Sequence, residues 1–175
     1  RYVYKIALVP LLLLVPLAVV TKGYLDIQSA QVDFSQSERD GVAYLKPLLD
    51  LTSRTVAARH QAVAGADPNL AGLTAAVAAV ATMDQRLGGG LGTGAAWAVA
   101  RSALNDAASV SGRQQASTAY TAATTALLAL IVQVADGSNL TLDPDLDSYY
   151  VMDALVFRLP ILLDTVGQVD DQALL

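Results

Sequence analysis

Apolar residues fall at helical spacing along almost the whole chain. Residues 6–20 form an uninterrupted apolar run that contains Pro10 and Pro16. After Gly23 the pattern changes. Ile27, Ala30, Phe34, Ser37, Gly41, Tyr44, Leu48, Leu51, Thr55, Ala58 and Ala62 lie alternately three and four residues apart, with polar residues between them. This is a heptad seam, and it predicts a first helix reaching about Ala64, with Pro47 a candidate bend. Residues 65–69 predict a loop, with Asp67 and Pro68 as the cap of a second helix that runs to about Leu87. The glycine-rich residues 88–94 predict a flexible break. A third helix is expected over about residues 95–108, a fourth over about 113–136 and a fifth from Pro144. No segment alternates apolar and polar residues with β-branched enrichment. The pattern therefore predicts an all-α protein, an N-terminal transmembrane helix continuing into an antiparallel helical bundle of four to five helices.

Fifteen apolar residues of helix span only about 22 Å, short of a hydrocarbon core of roughly 30 Å. Tyr2, Val3, Tyr4 and Thr21 extend residues 6–20 to a spanning length, and Lys5 can snorkel. Prolines are tolerated in membrane helices. A cleavable signal peptide is the rival reading, but the run ends Ala18-Val19-Val20, without a small-x-small cleavage site. The expected organisation is a transmembrane signal anchor at residues 1–22, touching the membrane through residues 2–21, and an extracytoplasmic bundle at residues 23–175. Arg1 and Lys5 precede the run and Lys22 follows it, a small bias toward a cytoplasmic N-terminus. The seam from Ile27 permits a homodimer, and could equally be used within one chain.

The chain of 175 residues carries a net charge of −5, which argues against a nucleic-acid partner. It has no cysteine, which excludes disulfides and thiolate metal sites. His60 is the sole histidine and cannot make a zinc or haem site alone. It is expected to be solvated or to suit the C-terminal end of the first helix. The glycine run lacks the Gly-Lys-Ser/Thr ending of a phosphate loop. No nucleophile–base trio and no carboxylate pair in an apolar setting is legible. The region is not expected to be an enzyme, and no metal or cofactor is expected.

Candidate chemistry concentrates in residues 138–164. Asp143 before Pro144 reads as a helix start, with Asp145 and Asp147 in the first turn where the helix dipole favours negative charge. The three aspartates have the alternating spacing of a calcium loop, but Ser148 and Ala154 occupy the positions where an EF-hand needs glycine and glutamate. Behind them Leu146, Tyr149, Tyr150, Met152, Leu155, Val156, Leu159 and Leu162 give a broad apolar face. Pro160 should kink or end the helix. Asp145, Asp147, Tyr149, Tyr150, Asp153 and Arg158 form the candidate ligand-binding set, because polar side chains on an otherwise apolar face can line a cavity between helices. The opposing reading is that the aspartates cap the helix, the tyrosines pack and the charges face water.

Residues 139–164 and the block Glu38-Arg39-Asp40-Gly41-Val42-Ala43-Tyr44-Leu45-Lys46-Pro47-Leu48 resemble the extracytoplasmic sensory region of bacterial transmembrane receptors. These are methyl-accepting chemotaxis proteins and related sensor kinases and diguanylate cyclases. With the alanine-rich helices between the two blocks, the resemblance covers nearly all of the chain. It implies a ligand- or stimulus-sensing input region in the bacterial inner membrane. Residues 23–175 would lie on the periplasmic or extracellular side, feeding a cytoplasmic output module. A membrane-anchored structural or assembly bundle without a ligand is the alternative, and a secreted helical protein a third. Helices that alternate in direction would leave the end of the fifth far from the membrane, so more helical sequence is expected after it.

Overall fold

The computed structural model describes residues 2–142 and 150–175, with side chains for residues 12, 14–141 and 150–175. Contacts divide the chain into two compact units, residues 1–36 and 37–175. Among the described residues every regular element is helical.

Helix α1 is Tyr2–Ala64 and runs through both units. Pro10, Pro16 and Pro47 lie inside it without ending it. In the first unit Leu12, Leu14, Val15, Leu17, Val19 and Val20 are all exposed. One turn further on, Lys22 pairs with Asp26 at 2.7 Å.

The second unit contains the rest of α1, then α2 (Leu70–Leu91), α3 (Gly94–Ser109) and α4 (Arg113–Gly137). A 3-10 turn at Leu140–Leu142 comes next, then a helical stretch from Tyr150 with a π turn at Asp153–Arg158, and finally α5 (Leu159–Leu174). The expected helix start at Asp143 and Pro144 lies outside the described residues.

Two expectations about boundaries change. Asn69, rather than Asp67, caps α2, accepting from the Gly72 N–H at 3.0 Å. A short amide side chain immediately before the first turn satisfies an orphan donor there. The glycine run is not one flexible loop either. Gly88, Gly89 and Gly90 continue α2, and the chain turns only at Gly92, whose φ of 68° is the left-handed conformation of a helix C-cap. Gly88 is buried against Asp84 and Thr93. A methyl there would lie 2.4 Å from Asp84 Oδ1.

The core draws on α1 to α4: Tyr44, Leu48 and Leu51 of α1, Leu73 and Val80 of α2, Trp97 and Leu104 of α3, and Tyr120, Leu127, Leu130, Ile131 and Val134 of α4. Among the described residues α4 is the helix long and apolar enough to cross a membrane. Its Tyr120, Leu127, Leu130, Ile131 and Val134 are buried in this core, while Val132 is exposed. The seam divides likewise. Gly41, Tyr44, Leu48, Leu51, Thr55 and Ala58 are buried inside the second unit, whereas Ile27 and Ala30 in the first are exposed.

Close approaches place the helix ends. Gly41 of α1 lies against Ser138 just after α4, where an added methyl would come within 2.1 Å of the serine Oγ. At the other end, Arg113 of α4 donates through Nε to the Val63 carbonyl and through a terminal nitrogen to the Leu174 carbonyl at 2.7 Å. Gly137 lets α4 touch the end of α2, since a methyl there would sit 2.2 Å from the Leu91 carbonyl oxygen.

Pro160 does not end its helix. It has no N–H to give to a carbonyl one turn back, and the turn before it widens. Leu159 donates to Ala154 five residues back, the hydrogen bond of a π turn. The added residue re-aims the helix beyond it. Met152 and Val156 point into the core, but Leu155, Leu159 and Leu162, expected on the same apolar face, are exposed. In α5 the buried residues are Pro160, Asp164 and Asp171, while Ile161, Leu163, Val166 and Val169 face outward.

Candidate functional site

What draws polar residues inward on α5 is Arg59, whose side chain is fully buried on α1. Its neighbours Val56, Ala58 and Val63 are apolar and buried, so the guanidinium has no water-facing route from this stretch of helix. A buried ion survives only when its donors are matched. Here Arg59 Nε donates to Asp171 Oδ2 at 2.7 Å, and one terminal nitrogen donates to Asp164 Oδ1 at 2.6 Å and to Thr121 Oγ1 of α4 at 3.3 Å. The other terminal nitrogen reaches the Asp164 carbonyl at 3.1 Å.

Asp164 and Asp171 are seven residues apart, two helical turns, and therefore share one face of α5. Between them Gly167 leaves space for the guanidinium. A methyl at this position would lie 2.9 Å from both Arg59 and Val56. The second oxygens of both carboxylates are used as well. Gln168 donates to Asp164 Oδ2 at 2.8 Å, and His60 Nδ1 lies 3.1 Å from Asp171 Oδ1 and 3.3 Å from Asp170 Oδ2. Among the described residues no buried side-chain nitrogen or oxygen is left without a partner.

This arrangement corrects three expectations. His60 is half-exposed and faces two carboxylates rather than solvent alone. A pair of carboxylates does stand in a buried setting, around one cation. Arg59, absent from the candidate residues, is the centre of the cluster. The available signal is a lone arginine in an alanine- and valine-rich seam, together with two aspartates at two-turn spacing in a leucine-rich helix. Chemically the cluster is an ion-pair clamp between α1 and α5, with α4 contributing a hydroxyl. One cation faces two carboxylates, and His60 stands on the outer side of the excess negative charge.

A second polar contact joins α1 to the α2–α3 turn. The Tyr44 hydroxyl donates to Asp84 Oδ1 at 3.0 Å, and Thr93 Oγ1 donates to the same oxygen at 2.6 Å. Burial pushes the Tyr44 phenol well above its ordinary value; Thr93 acts against this, and the Asp84 carboxylate adds to it.

The expected ligand-binding set is divided. Asp145, Asp147 and Tyr149 lie outside the described residues. Tyr150 is exposed, and Asp153 and Arg158 are joined to one another as an ion pair across the π turn. That pair spends both charges locally, at a surface where such bridges contribute little.

An apolar groove lies beside this turn. Its volume is about 610 Å³, and the described residues lining it are Val42, Leu45, Lys46 and Leu49 of α1, Leu140, and Val151, Met152, Leu155 and Val156.

No family model, curated protein or solved structure matches this chain.

Proposed function

We propose that the chain is the stimulus-sensing input region of a bacterial transmembrane signalling receptor. Residues 1–22 are its membrane anchor and residues 23–175 an extracytoplasmic antiparallel bundle of five helices. The observation that carries this reading is the buried Arg59 clamp. α1 is one uninterrupted helix that begins in the apolar N-terminal run and ends in the second unit, and its Arg59 is held by α5. A change that moves α5 against α1 is thereby coupled to the helix that carries the anchor. Packed helices shift between discrete arrangements, which suits such transmission.

Other observations support the parts. The exposed leucines and valines of residues 12–20 suit a lipid environment. The pairings of Gly41 with Ser138 and of Val63 with Arg113 suit alternately directed helices. The exposed Leu159, Leu162, Val166 and Val169 stand three, four and three residues apart, a stripe that suits a helical partner such as a second copy of the chain. The same stripe favours the second reading, a membrane-anchored assembly bundle without a stimulus.

The test is a fusion of the chain to a chemoreceptor signalling module in bacterial membranes. Arg59→Ala should shift the basal output, while Arg101→Ala, on an exposed face of α3, should not. Output that is indifferent to Arg59, with the fusion folded and inserted, sinks the sensory reading. Because the chain lacks cysteine, a single cysteine at the exposed Ser53 reports its side of the membrane through an impermeant maleimide.

A further inference from the structure

We propose that the groove between α1, Leu140 and the π turn binds a single-chain anionic amphiphile, in chemical class a medium-chain fatty carboxylate. As the receptor's stimulus this rests on the sensory reading; as a binding site it does not.

The lining sets the class. Among the described residues eight of the nine that line the groove are aliphatic or methionine, with no hydroxyl, amide, carboxylate or aromatic ring. Against these residues a sugar, nucleotide or free amino acid finds no hydrogen-bond partner, at a cost that apolar contacts do not recover. An aliphatic chain loses nothing. The volume of about 610 Å³ lies within the range of roughly 300–1,000 Å³ of small-molecule sites. Leu45, Leu140, Met152 and Val156 are buried and form the floor, while Val42, Val151 and Leu155 are exposed along the rim.

Lys46 sets the head group. Among the described residues it is the one charged residue of the lining, it is exposed, and it makes no ion pair or hydrogen bond. Asp50, the carboxylate one turn further along α1, is taken by Arg54 at 2.8 Å. An apolar slot with a single cation at its edge is complementary to an apolar tail ending in one negative charge. The wall can adapt to the tail, since it contains the flexible Met152 and a π turn, a feature frequent at functional sites.

The experiment is photo-crosslinking of the full chain in bacterial membranes with a diazirine-bearing dodecanoate, mapped by peptide mass spectrometry. Label is expected on peptides carrying residues 42–49 and 151–156. Competing octanoate, decanoate and dodecanoate should gain about fourfold in potency per methylene until the groove is full. Dodecanoate should compete better than dodecanol, and Lys46→Gln should remove that preference, a loss of about tenfold. Leu155→Asp, at an exposed rim position, should abolish the label with the helical spectrum unchanged. Label confined to residues 6–20 would mean partition into lipid only and would overturn the site. Groove label that survives Leu155→Asp overturns it too, as does a groove closed by a second copy, seen as a dimer that Leu155→Asp dissociates. A receptor fusion that answers other stimuli while the groove takes no label refutes the amphiphile and leaves the sensory reading standing. A labelled groove with silent output does the reverse.

Discussion

Arg59 and Asp171 are 112 residues apart in sequence, and their side chains meet at 2.7 Å inside the protein. With Asp164 on the same guanidinium, this pair fixes which face of α5 turns inward. It does so against the ordinary preference of an amphipathic helix, which buries leucine and exposes aspartate. The desolvation cost of such a cluster offsets much of its attraction, so it specifies an arrangement more than it adds stability.

Breaking the cluster and replacing it should therefore differ. Arg59→Ala leaves two carboxylates buried without their cation and should cost about 3–5 kcal/mol. Arg59→Met combined with Asp164→Leu and Asp171→Leu removes the charges together and should be near neutral or stabilising by about 1–4 kcal/mol. Chemical denaturation of the two variants separates the cases. Equal destabilisation by both would show that the charges themselves hold α5 in place.

Tyr44 makes the protein sensitive to alkali. Its phenol pKa is raised in the folded state, so folding favours the protonated form. That contribution is complete below the unfolded value of about 10 and falls away as pH rises from there toward the folded value. Stability measured against pH should decline above about pH 10, and Tyr44→Phe should flatten the decline. At neutral pH the same substitution removes one hydrogen bond to Asp84 and should cost about 0.5–1.5 kcal/mol.

Glycines of the two helix ends predict opposite signs. Gly89 is helical with open space around it, and Gly89→Ala should stabilise by up to about 1 kcal/mol through helix propensity. Gly137→Ala drives a methyl into the Leu91 carbonyl and should cost about 1–3 kcal/mol. Gly92→Ala places a side chain in the left-handed region and should cost about 1–2 kcal/mol. Thermal unfolding of the three variants checks the order. A stabilising Gly137→Ala would contradict the close contact between the ends of α2 and α4.

Leu127 is fully buried in α4 and belongs to the same core as Tyr44 and Trp97. Leu127→Ala should cost about 2–5 kcal/mol, as a cavity in a packed interior does. A change below about 0.5 kcal/mol is the value of an exposed site. It would favour α4 as a lipid-facing helix over a core helix.

Local periodicity determined the all-α class, the heptad seam of α1 and the approximate limits of the helices, because these depend on neighbours three and four residues apart. Capping at Asn69, the continuation of α2 through Gly90 and the π turn before Pro160 depended on backbone hydrogen bonds that composition does not display. The tertiary structure alone decided the clamp. Arg59 reads as one more charge on a helix until α5 is laid against it, and Leu159 and Leu162 read as core until Asp164 and Asp171 take the inward face. A buried guanidinium needs its carboxylates more than leucines need burial, since an unmatched ion in an apolar interior costs several kcal/mol where an exposed leucine forfeits about 1.5–3 kcal/mol.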